Sequence, residues 1–138
     1  MKTSKTGFNF EITSKDLDEI RAAIQQWKAD SEIAEKFDGG TLYNHYERWL
    51  QFVETDWEGW DISEYEHDIG CRAWIQLAIE NSTPKTAILL ENEVSKIDEK
   101  FKKKMKPFQK NWVSSYLKSP FKDGPYFWET NTIHEEYK

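Results

Sequence analysis

The chain has 138 residues, 15% of them aromatic and seven of them Trp, with 25 Asp and Glu against 19 Lys and Arg for a net charge of −6. This length suits one domain, residues 1–138, built on a single core, and the large rings supply the apolar area that a disordered chain of low mean hydropathy lacks. The acidic balance argues against a broad nucleic-acid-binding face, which needs basic residues to neutralise phosphates, and the longest apolar run, "AILL" at 87–90, is far too short to cross a bilayer.

Starting at the N-terminus, "MKTSKTGFNFEITSKDL" alternates polar and apolar residues where a secretory signal carries a continuous apolar stretch. The single cysteine, Cys71, has no intrachain partner, so a reducing, cytoplasmic compartment is expected. Phe8, Phe10 and Ile12 alternate, and the pattern allows a short strand there to pair with residues 126–133, although two short strands alone are marginal.

From Ser14 as N-cap, Leu17, Ile20, Ala23, Ile24 and Trp27 recur at intervals of three and four and predict an amphipathic helix over 14–29. "DSEIAEKFDGG" extends it or adds a short piece, with Gly39 and Gly40 read as the stop and Thr41 as the next start. Leu42, Tyr46, Trp49, Leu50, Val53 and Trp57 then form the stripe of a second helix over 42–57.

At "WDISEYE", Asp61 as N-cap places Glu64 at the third helical position and sets Trp60 against Tyr65, a capping box with a hydrophobic staple that opens a helix over 62–81. Apolar residues run almost all round this helix and leave Asp68, Arg72, Gln76 and Glu80 as a narrow polar strip, so it should be central. Thr83 followed by Pro84 starts a helix to about Lys106 on Ala87, Leu90, Val94, Ile97 and Phe101. The expected fold is therefore all-α, a single-domain bundle of four to five helices, with Trp49, Trp74, Leu77, Leu90, Val94 and Ile97 in one core.

Signatures of nucleophilic catalysis, of the P-loop and of the dinucleotide fold are absent from the sequence. Cys71 lies one helical turn after His67, but a thiol among Trp74, Ile75 and Ala78 reads as a small buried hydrophobe, so no catalytic residue is assigned. Glu64 and His67 have the Glu-x-x-His spacing of a di-iron bundle, with His45 and Glu47 on the preceding helix. Neither His45 nor His134 has a glutamate three residues earlier, so the second half of that motif is missing and no metal or cofactor is assigned. The lysines of "KFKKKMK" at 100–106 complement the negative end of a helix dipole and read as a solvated face, with Glu93, Lys96, Asp98 and Glu99 nearby.

The charge is unevenly distributed. Residues 1–82 carry 17 acids against 8 bases, and residues 83–138 carry 8 against 11. Seven acids fall within 54–68, namely Glu54, Asp56, Glu58, Asp61, Glu64, Glu66 and Asp68, with Trp57 and Trp60 among them. Capping accounts for about three of them; the others repel one another unless a basic partner meets them. Glu54, Asp56, Trp57, Glu58, Trp60, Asp61, Glu64 and Asp68 are accordingly the candidate partner-binding residues, with acids steering association and indoles anchoring it. The expected function, by analogy of physical type alone, is an interaction module of the bacterial immunity or antitoxin kind, which binds and neutralises a basic toxin or nuclease. The alternative is a small metal-dependent or otherwise unrecognised enzyme on a helical bundle.

Overall fold

The structure is a computed structural model that describes residues 3–4, 6–55, 62–107 and 126–132; at 3–4, 62–69, 107, 129–130 and 132 it describes the backbone alone. It is an all-α bundle. The main helices are α1 (Ser14–Lys28), α2 (Ser31–Lys36), α3 (Gly39–Glu54), α4 (Ile62–Glu80) and α5 (Pro84–Lys104), with one further turn, α6 (Phe127–Thr130). Among the described residues, no helix is long and apolar enough to cross a membrane.

Local chemistry explains most boundaries. Thr13, one residue before the expected Ser14, caps α1 by accepting from the Asp16 N–H. Ala29 ends that helix in the left-handed region at φ 52°, a conformation any Cβ disfavours. Asp30 caps α2 through the Glu32 and Ile33 N–H groups. The expectation that Gly39 and Gly40 stop a helix is overturned: both lie in the first turn of α3, because Asp38 accepts from the Thr41 N–H and hydroxyl and nucleates the helix two residues before Thr41. Pro84 opens α5 behind Thr83 as expected.

Thr83 nevertheless does not cap with its side chain. Its backbone N–H donates to Asp16 Oδ1 at 2.8 Å, and the Thr86 hydroxyl donates to Asp16 Oδ2 at 2.5 Å. A buried carboxylate from the first turn of α1 thereby fastens the start of α5. Burial pushes the Asp16 pKa up, but the hydrogen bonds from Thr86, the Thr83 N–H, Thr13 and the Thr83 hydroxyl outweigh it and hold the group below its ordinary range.

Cross-helix contacts fix the helix directions. Asp16 meets Thr83 while Trp27 meets Trp74, so α1 and α4 are antiparallel. Trp49 meets Asp98 while Glu54 meets Lys100, so α3 and α5 are parallel, with α4 antiparallel between them. The core gathers Ile20, Ile24, Leu42, Trp49, Phe52, Ile75, Leu90, Val94, Ile97 and Phe101. Of the six expected core residues, Trp49, Leu77, Leu90, Val94 and Ile97 are buried, whereas Trp74 is half-buried and packs against the core from its edge.

Strand pairing differs from expectation. Ile12–Thr13 (β2) pairs with Thr3–Ser4 (β1), and Asn131–Thr132 (β4) pairs with Lys106–Pro107 (β3) just after α5. Each terminal strand thus takes a partner other than the opposite terminus. For the C-terminal strand, Trp128, 1% exposed, and Phe127 are packed against α4 and α5, which delivers β4 to the end of α5.

Candidate functional site

The acidic stretch starts where α3 ends. Glu54 is the last residue of α3, exposed and ion-paired with Lys100 of α5. Beside it, Lys104 Nζ donates to the Val53 carbonyl at 3.0 Å and so caps the C-terminal end of α3. The lysine run is therefore more than a solvated face: Lys100 and Lys104 fasten α5 to the end of α3, and Lys102 pairs with Glu99 and lies over the Phe127 ring.

Asp56, Trp57, Glu58, Trp60 and Asp61 lie outside the described residues, and with them the expected capping box at Asp61 and the last expected turn of α3 at Trp57. Helix α4 starts at Ile62, so Glu64 and Asp68, four positions apart, share one face of its first turns. Further back on α3, Asn44, Glu47, Arg48 and Gln51 line an open depression of about 500 Å³. Those positions recur at three and four and lead along α3 to Glu54.

Arg72 leaves the polar strip assigned to it. It is 4% exposed and grips Asp98 with two hydrogen bonds, Nε to Oδ1 at 3.0 Å and Nη2 to Oδ2 at 2.8 Å. Asp98 also accepts from the Trp49 indole N–H at 3.0 Å, so it serves the core instead of the lysine run. The Arg72 guanidinium lies 4.1 Å from the Trp128 ring centroid, while its Nη1 makes no hydrogen bond among the described residues. Sequence reasoning misses this network because Trp49, Arg72, Asp98 and Trp128 lie at least 23 positions apart. The one available signal is a lone basic residue within the mainly apolar stretch 69–79, which needs a carboxylate to be buried.

Cys71 is buried, as expected, and among the described residues His45 approaches it, with Nδ1 3.4 Å from Sγ. The His67 side chain and all of His134 lie outside the described residues. Among the described residues, no three His, Cys, Asp or Glu side chains gather as a metal site requires. Comparison with protein-family models, with curated proteins and with solved structures finds no match to this chain.

Proposed function

We propose that this protein is an acidic cytoplasmic interaction module of the bacterial immunity or antitoxin type. It takes a basic protein partner, a toxin or nuclease, on the face formed by residues 54–68 and neutralises that partner by occlusion. The observation that carries the reading is the density of acids over residues 54–68 at one helix-to-helix junction, where Glu54 at the end of α3 is exposed even though paired with Lys100, and Glu64 and Asp68 share a face of the next helix. Single-sign charge of this density costs folding stability and is repaid by steering an oppositely charged partner.

The test is genetic and kinetic. The product of the neighbouring gene is expressed with and without this protein, and growth is scored; protection should require the acids, so Asp56→Lys with Glu58→Lys should abolish it while the thermal unfolding profile is retained. With that partner purified, association should slow as salt rises, because ions screen exposed charges beyond roughly 8 Å at physiological strength. Trp57→Ala and Trp60→Ala should mainly hasten dissociation. Unchanged protection and unchanged rates in the charge-reversed variant would remove the acidic face as the binding site.

A further inference from the structure

Away from the acidic stretch, where α1 ends against α3 and α4, a cation lies against two indole rings. Lys28, the last residue of α1, holds its ammonium 4.0 Å from the Trp27 ring centroid and 5.8 Å from that of Trp74. The two indoles meet edge to face, 5.1 Å apart at 63°. Trp74 is stacked in turn on the His45 imidazole, at 5.0 Å and 9°, and lies parallel to Phe37 at 5.9 Å. Phe37 is buried, while Trp27, Trp74 and His45 are half-buried and Lys28 itself is exposed.

No carboxylate pairs with Lys28 among the described residues. Its ammonium lies against the Trp27 and Trp74 rings, and partial loss of hydration there depresses its pKa from the ordinary lysine value. The two indole rings carry the negative quadrupoles that attract cations, and indole is the strongest of the aromatic side chains in this respect. The side chain occupying the group is also the most readily displaced, since Lys28 is exposed and rooted in the last turn of α1 beside the left-handed Ala29.

We propose that Trp27 and Trp74, backed by Phe37 and His45, form an aromatic cage for an organic cation, an alkylammonium or guanidinium group, and that Lys28 fills the cage when that ligand is away. The cage is independent of the acidic-face reading; its ligand reaches it as a free small cation or as a basic side chain on a protein. Lys28 acts as an internal competitor, setting a threshold that an incoming cation must exceed.

The full-length chain and its Lys28→Ala variant are titrated with tetramethylammonium, with the uncharged isostere in which carbon replaces the quaternary nitrogen, and with arginine blocked at both ends, while the indole N–H resonances of Trp27 and Trp74 are followed. Tetramethylammonium should shift both resonances saturably in Lys28→Ala, about tenfold more tightly than in the wild type, and the uncharged isostere should bind about tenfold more weakly than the cation. Tighter binding of blocked arginine than of tetramethylammonium identifies the ligand as a side chain on a protein; the reverse order identifies a small quaternary cation. Trp27→Leu, made at a half-exposed position, should abolish the Trp74 shift without unfolding the chain. In the wild type, the Lys28 side-chain protons should be displaced upfield by the Trp27 ring current. Equal binding of cation and isostere, absence of any saturable shift in Lys28→Ala, or Lys28 protons at random-coil positions would each overturn the proposal.

Discussion

Arg72 and Asp98, 26 positions apart, form a two-pronged ion pair in the middle of the bundle, with side chains only 4% and 10% exposed. A pair so far from water stabilises little by itself, since desolvation offsets its attraction, but either member left alone is costly. Asp98→Leu and Arg72→Met should therefore each destabilise the protein by about 3–5 kcal/mol, and the two combined should recover most of that loss. Urea melts of the two single variants and the double variant close the cycle. Additive losses would show that the pair is uncoupled.

Trp49→Phe keeps a ring between Phe52 and Phe101 while deleting the indole donor to Asp98. A hydrogen bond to a charged group contributes about 1.5–3 kcal/mol, and the loss of stability should fall in that range. In the Asp98→Ala background the same change should cost measurably less.

Asp16 supplies a pH dependence whose sign follows from its hydrogen bonds. With its folded pKa below the unfolded value, its contribution is present in full above about pH 4 and is lost as the pH falls through the folded pKa. Asp16→Asn should cost about 1.5–3 kcal/mol at neutral pH. The gap between wild type and variant should close on acidification, as read by denaturant titration at several pH values. A gap that widened instead would mean that the carboxyl is protonated in the folded protein.

Ala29 occupies the left-handed region at φ 52°, where a side chain is disfavoured. Ala29→Gly should stabilise the protein by about 0.5–1 kcal/mol despite the greater freedom glycine gives the unfolded chain, and the midpoint of thermal unfolding should rise. A lower midpoint would show that glycine's unfolded-state entropy outweighs the strain.

Trp74 is half-buried, so Trp74→Ala should cost about 2–3 kcal/mol, short of the roughly 3–5 kcal/mol typical when a fully buried ring is removed. Trp49→Ala, which empties a fully buried position, should cost more. Equal losses would mean that Trp74 is covered more completely than its exposure implies.

Much of the fold was legible in the sequence because local signals and the tertiary answer agree. Thr83 with Pro84, the stripe from Leu90 to Phe101 and the apolar surround of residues 69–79 each state a helix within a few neighbouring residues. The errors lie where one residue type serves two purposes. Gly39 and Gly40 resemble a helix stop, but Asp38 turns them into a helix start, and the actual stop of α1 falls on an alanine that carries no such signature. Arg72 has the helical phase of a surface residue, and only the fold brings Asp98 to it. At the candidate acidic face, charge density could be read from the chain, whereas the links from Lys100 and Lys104 to the end of α3 depend on two helices running parallel, a property no local pattern encodes.

The Asp16 clasp also orders events during synthesis. Its partners, Thr83 and Thr86, are 67 and 70 positions downstream, so α1 leaves the ribosome long before the groups that will anchor it have been made. Closing so large a loop costs entropy before any bond rewards it, which places consolidation of α1 after the α4 to α5 turn has formed. Substitutions at Asp16 should accordingly accelerate unfolding and leave the refolding rate nearly untouched.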